Sequence, residues 1–428
     1  MRHAPIPAKL FVENRKRLCA RLAPGSLAVL HASDILPSNS DGTLPLVANS
    51  DLFYLSGIEQ EQTVLLLAPD AFDEKLREVL FVRDTSELLK TWEGAKHSQA
   101  EAAKISGIKN VKWLSELPGL LRRLMCDAEH VYLNSNEHQR AIIEVETRDA
   151  RMARRLMSEH PLHDYRRLAP IMHELRVVKS EQEIDLLKRA CAITRKGFLR
   201  ALKRTKPGRW EQEIEAEFAY EFIRNRSRFA YPPIIAAGAN ANVLHYVAND
   251  QRMKKGDVLL LDVGASYANY NADLTRTVPV SGRFSRRQRQ VYQAVLRVMR
   301  AMIAAAQPGV LQRDWQKQSK AMMNEELLAL GLLKRSAIKK QDPDNPACQR
   351  YFNHGLGHPL GLDVHDVGLL SKPFAPGWVL TVEPGIYLPE EGFGIRLEND
   401  IVVTNGAPLD LMADIPVEAD EIEALMAG

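Results

Sequence analysis

The sequence predicts an α/β (α+β) protein of two domains, a smaller amino-terminal one and a larger carboxy-terminal one that carries the chemistry. Three observations predict it. At about 150 residues per domain, a chain of 428 residues has room for two or three domains, and 45% apolar residues can fill their cores. A proline-punctuated stretch near residue 170 leads into a strong helix start. Beyond it, apolar strand-like runs end in carboxylates, each followed by a second acid in what reads as the returning arm of a hairpin.

In the first half, Leu27–Leu30, Thr63–Leu67 and a run near residue 80 alternate with helical segments such as 138–158, the pattern of a small α/β domain. Two Asn-Ser-Asp triplets, 39–41 and 49–51, read as turn formers. Pro161 and Pro170 mark a linker, and Ser180-Glu-Gln-Glu183 is a capping box that opens a helix with Ile184, Leu187, Cys191, Thr194 and Phe198 on one face. The expected domains are therefore 1–170 and 171–428.

In the second half, Val258-Leu-Leu-Leu-Asp262 and Val379-Leu-Thr-Val-Glu383 read as buried strands ending in an acid. An acid in that setting must be paired, protonated or bound to a cation. Asp273 follows Asp262 by 11 residues and Glu398 follows Glu383 by 15, so the acids come in two similar halves that face one another. Alternation through Ile395–Asp400 puts Arg396, Glu398 and Asp400 on one face. Four carboxylates with the single imidazole of His358 suit hard or borderline divalent ions, and are enough to bridge two ions about 3.5–4 Å apart.

The segments LLLDVG, NADLTRTVPV, HGLGHPLGLDVHDVG, TVEPGIY and GIRLENDIVVT resemble the signatures of the M24 pita-bread metallopeptidases, above all the Xaa-Pro aminopeptidase (aminopeptidase P) family. The likeness runs from about residue 175 to the end, and the Asn-Ser-Asp region resembles the amino-terminal domain of the same family. It implies a pita-bread catalytic domain that hydrolyses the Xaa-Pro bond at the amino terminus of peptides by a hydroxide bridging two divalent ions. Manganese is the usual metal, with zinc or cobalt as alternatives. Asp273 and Glu398 would bridge the ions, His358 and Glu383 would complete one, and Asp262 the other. By the same resemblance, His245, His365 and Glu383 are catalytic, and His354 and Tyr387 meet the substrate; Arg396, two residues before Glu398 on the same face, orients that ligand or meets the substrate backbone, with a plain ion pair as the alternative. It also implies a homodimer or homotetramer. Trp92 matches a loop that reaches a neighbouring subunit in a relative, although a tryptophan packed within its own domain is the simpler reading. Gly357 and Pro359 depart from the family, which often has a hydroxyl and a bulky residue there. An Xaa-Pro dipeptidase on the same scaffold is the alternative, and a non-catalytic protein-binding module the remote one.

Length and composition fit a large soluble enzyme. With 57 basic and 54 acidic side chains, the net charge of +3 calls for neither nucleic acid nor an anionic membrane. Clusters such as Arg15-Lys-Arg17, Arg151–Arg155 and Arg286-Arg287 read as solvated helix faces. The first residues have no apolar core of signal-peptide length, and no run reaches the ~20 apolar residues that cross a bilayer. Cys19, Cys126, Cys191 and Cys348 are scattered, as expected of free thiols in a cytoplasmic protein.

Overall fold

The computed structural model describes residues 3–342 and 345–427. The chain divides into two compact units, His3–Arg176 and Val177–Gly428. The division falls six residues past the expected 170/171, because the helix Ala169–Arg176 buries Ala169, Met172 and Leu175 and its Leu175 carbonyl accepts from Tyr54 at 3.1 Å.

The first unit is built on a mixed sheet of β1 (Ser26–His31), β2 (Val64–Leu67), β3 (Glu78–Val82), β4 (Asn110–Trp113), β5 (His130–Leu133) and β6 (Asp164–Arg167), in the order β4-β3-β2-β1-β5-β6. β1 lies centrally, antiparallel to β2 and parallel to β5, and every one of its residues is buried. That is why it reads as a continuous apolar run and not as an alternation. On one face, Leu27, Val29, Leu66 and Phe81 pack with Leu121, Leu124, Met125 and Leu156 from two helices.

Three expectations need correction in this unit. The helix expected at 138–158 spans Arg148–Glu159, opening where the Thr147 hydroxyl accepts the Ala150 N–H; Ile142, Ile143 and Val145 before it are exposed. Arg15 is fully buried and not on a solvated face, its guanidinium donating to Glu78 and to the Leu55 and Ser106 carbonyls. Trp92 is 80% exposed on the short helix Glu87–Glu93, which buries none of its residues. Of the two triplets, the second caps a helix: Asn49 Oδ1 accepts the Leu52 N–H ahead of Ser50–Ser56.

The second unit opens with the capping box, in which Ser180 and Glu183 satisfy each other's backbone N–H at the start of the helix Glu181–Arg204. Its strands are β7 (Arg228–Phe229), β8 (Ile234–Ala237), β9 (Val258–Asp262), β10 (Ala265–Tyr267), β11 (Tyr270–Asn271), β12 (Thr275–Pro279), β13 (Val379–Val382), β14 (Gly385–Leu388), β15 (Phe393–Arg396), β16 (Asn399–Val402) and β17 (Leu409–Asp410). β9 is central between β8 and β12, with Asp262 opposite both Ile234 and Thr275. β13 pairs with β16 so that Val382 faces Asn399, which leaves Glu383 opposite Glu398 one step further on. The arm carrying Glu398 is not one strand. It pairs with β14 as β15, breaks at Leu397–Glu398, and resumes as β16 against β13, because the Glu398 N–H leaves to donate to Thr275 O at 3.0 Å.

The histidine segment runs alongside β13. Thr381 N–H donates to His358 O at 2.9 Å, Leu360 N–H to Val379 O and Glu383 N–H to Leu356 O. A Cβ at Gly357 would come 2.0 Å from Thr381 O, so this close approach depends on glycine. Alternation places the Pro359 nitrogen on the side away from β13, where the ladder needs no donor. Among the described residues, no helix is long and apolar enough to cross a membrane.

Candidate metal and active site

Each acid reaches the site through its strand. Asp262 ends β9, Asp273 precedes β12, Glu383 follows β13, and Glu398 occupies the break between β15 and β16. The tightest donor group is Asp273, His358 and Glu398, whose ligand atoms lie within 4.8 Å of one another. Asp262 and Glu383 flank it. His358 Nε2 is 3.5 Å from Asp273 and 3.6 Å from Glu383. The Tyr231 hydroxyl lies 2.6 Å from Asp262 Oδ1 and 2.5 Å from Asp273 Oδ1.

Four observations fit this group to a divalent cation. The Pro359 carbonyl, 2.9 Å from His358 Nδ1, can only accept, so Nδ1 carries a proton and Nε2 is the nitrogen that faces the acids, where it can ligate an ion. Glu398 is 1% exposed, yet its Oε1 has no hydrogen-bond partner, while Oε2 accepts from Thr275 at 2.7 Å. One tyrosine proton cannot serve two carboxylates, and with Arg396 engaging Asp262 it is Asp273 that calls for a further positive charge or a proton. Burial, reinforced by neighbouring acids, pushes Glu398 well above the usual carboxylate range and Glu383 up to about 7, and burial also raises Asp262. Carboxylates crowded in this way stay ionised only around a cation.

A second network lies beside the acids. Arg396 donates from Nη2 to Asp262 Oδ2 at 2.5 Å and from Nη1 to the Tyr387 hydroxyl at 2.9 Å. Tyr387 in turn donates to His354 Nε2 at 2.8 Å, and His354 Nδ1 donates to Gly355 O. Burial, with Arg396 nearby, pushes His354 down to about 3, so it is a neutral acceptor here. Burial opposes the charge on Arg396, but Tyr387 and Asp262 outweigh it and raise its pKa further. Tyr387 and Arg396 sit diagonally across the β14/β15 ladder, which brings the two side chains together.

His245 and His365 are the exposed histidines of the group. His365 stacks on His358, ring centroids 3.9 Å apart and 12° from parallel. His245 lies in the loop after β8, close enough to His354 to disfavour a charge there. All ten residues singled out from the sequence thus lie in the second unit, joined by direct contacts or carried at the edge of the cluster.

Sequence reasoning missed several partners. Tyr231 stands before two prolines with no local pattern to single it out. Asp400 is fully buried behind Asp273, accepting its N–H at 3.0 Å, and Cys191 donates to the same Oδ2. Lys179 and Asp366 form an ion pair at 3.0 Å with both side chains 1% exposed, next in sequence to His365. Alternation put Asp400 on the face of Arg396 and Glu398 but did not reveal its place behind Asp273, and nothing local links residue 179 to residue 366.

Comparison with known proteins follows the same outline. Metallopeptidase family M24 matches residues 185–405, and the aminopeptidase P amino-terminal domain matches residues 11–132. The Xaa-Pro aminopeptidase of Escherichia coli K12 is 34% identical, with 98% of this chain and 97% of that protein aligned. Human Xaa-Pro aminopeptidase 3 is 32% identical over 88% of this chain and 76% of its own length. Among solved structures, zinc-substituted E. coli aminopeptidase P in complex with product superposes with a TM-score of 0.86 at 33% identity, covering 99% of both chains.

Proposed function

The chain belongs to metallopeptidase family M24, in its aminopeptidase P branch, and from that premise we propose that it removes the amino-terminal residue preceding a proline from peptides. The observation that carries the reading is the buried donor group Asp273, His358 and Glu398 with its orphaned Glu398 Oε1, set beside two exposed histidines.

Asp262, Asp273, His358, Glu383 and Glu398 would hold two divalent ions, most simply Mn2+, and no thiolate competes for softer metals. Such a pair supplies a water of lowered pKa and a Lewis acid for the scissile carbonyl. The protein's own groups do the rest. Glu383, within reach of His358 and the other acids, is placed to take a proton from the attacking water and return it to the departing proline nitrogen. His245 and His365, at the exposed edge, are placed to donate to the carbonyl oxygen as negative charge develops there. Arg396 orients Asp262 and, through Tyr387, fixes the His354 ring beside the acids. The alignment along the full length, amino-terminal domain included, supports an aminopeptidase over a dipeptidase. Free thiols at all four cysteines suit a cytoplasmic enzyme. The exposed Leu88 and Trp92 suit a homodimer or homotetramer.

The test is turnover of a matched Xaa-Pro dipeptide and Xaa-Pro-Yaa tripeptide by chelated enzyme before and after Mn2+ is returned. Metal-dependent cleavage of the tripeptide at the Xaa-Pro bond, lost in Asp273→Ala and Glu398→Ala, is the expected result. Cleavage of the dipeptide alone would transfer the assignment to a dipeptidase, and no metal-dependent cleavage of either would refute it.

A further inference from the structure

The imidazole of His245 has no hydrogen bond of its own among the described residues, so its position is set by the loop that carries it. That loop leaves β8 at Ala237, makes a helical turn over Gly238–Asn242, and returns by residue 251. A single fully buried carboxylate, Glu211, ties its two ends together. Glu211 is the first residue of the helix Glu211–Arg224 and is 0% exposed. Its Oε1 accepts the Ala237 N–H at 2.7 Å and the Asn240 side-chain amide at 3.3 Å. Its Oε2 accepts the Tyr246 hydroxyl at 2.7 Å and the Gln251 N–H at 2.8 Å.

Four donors converge on one carboxylate, one at the loop's start, one in its helical turn, one next to His245 and one at its end. Tyr246, the immediate neighbour of His245, also packs on Ile234, Ala236, Ala241 and Leu260, so its ring cannot swing freely while its hydroxyl is held. Asn249, with a left-handed φ of 48°, secures the returning strand by accepting the Ile235 N–H and donating to Pro233 O, each at 2.9 Å. Among the described residues no hydrogen bond joins it to Tyr246. The Tyr246 hydroxyl also lies 3.2 Å from Asp250 Oδ1 at the returning end, but Glu211 is the nearer acceptor and the one that also holds the loop's start.

We propose that Glu211 is a positioning residue: through Tyr246 and the loop ends it fixes where His245 meets the substrate carbonyl, without touching substrate or metal itself. This rests on the role given above to His245. In Glu211→Gln, one oxygen becomes an amide whose hydrogens face donors, so at least one link must break while the volume stays constant. Displacement of His245 then weakens an interaction made mainly in the transition state, which lowers kcat and leaves KM nearly unchanged.

The experiment is a double-mutant cycle on Mn2+-loaded full-length enzyme with an Xaa-Pro-Yaa tripeptide, measuring kcat and KM for wild type, Glu211→Gln, His245→Ala and the double variant. Glu211→Gln is expected to lower kcat by about 10- to 100-fold, and by less than about twofold when His245 is already alanine. Equal losses in both backgrounds would overturn the proposal while leaving His245 its role. Full activity in His245→Ala would overturn both. Should Glu211→Gln not fold, Tyr246→Phe removes a single hydroxyl of the same link, and the cycle with His245→Ala is read in the same way.

Discussion

At the scale of single residues, what separates a metal site from a cluster of buried acids is the count of protons and lone pairs. Tyr231 brings one proton to two carboxylates, 2.6 and 2.5 Å away, and orients both. Tyr231→Phe should therefore weaken divalent-ion binding by about 10- to 100-fold, in the range of other residues that hold metal ligands in place, with the fold retained. Competition with a fluorescent chelator measures this, and an unchanged affinity would show that the tyrosine orients nothing. Asp262 and Glu383 were legible in the sequence because each ends an apolar strand-like run, Asp273 and Glu398 because each follows in a returning arm, and His358 through the likeness of its segment to the family motif. Tyr231, Glu211 and the pairing of Asp400 with Asp273 were not, since each acts on groups about 30 to more than 100 residues away, to which no local pattern refers.

At the scale of elements, two hairpins do the positioning. β9 and β12 carry Asp262 and Asp273, β13 and β16 carry Glu383 and Glu398, and the Glu398 N–H donating to Thr275 O joins the pair. The turn after β9 is tight. A Cβ on Gly264 would stand 1.7 Å from Ala272 O, so the backbone between the two aspartates would have to move. Gly264→Ala should cost about 1–3 kcal/mol of stability and reduce turnover even at saturating metal. Chemical denaturation together with kcat checks it, and wild-type values for both would mean that the turn can widen freely. The break at Leu397–Glu398 was not readable from alternation, which continues through it unchanged. It is set by Thr275, on a different strand, drawing the Glu398 N–H out of the ladder.

At the scale of the whole molecule, the crowded acids tie stability to pH. Burial raises the folded-state pKa of Glu383 to about 7, from an ordinary value of 4.5, and raises Asp262 and Glu398 in the same direction. The folded chelated protein thus holds protons that the unfolded chain has already released. Its stability is complete below about pH 4.5 as far as Glu383 is concerned, and falls as pH rises toward and through 7. The Tm of chelated enzyme should drop by several degrees between pH 5 and pH 8, and Mn2+ should abolish most of that slope. A flat or rising Tm in chelated enzyme would contradict the crowding of charge.

The sequence by itself determined the two-domain α/β class, the helix start at Ser180 and the two acid-bearing strand pairs that carry the candidate ligands, because periodicity, capping and buried acids at strand ends are local signals. The tertiary structure alone decided which groups support those ligands. It set Arg396 between Asp262 and Tyr387, Lys179 against Asp366, Asp400 behind Asp273 and Glu211 beneath the His245 loop. Each of these satisfies a buried charge or donor with a partner far away in the chain, and such a partner is chosen by proximity in the folded core, which no stretch of sequence records.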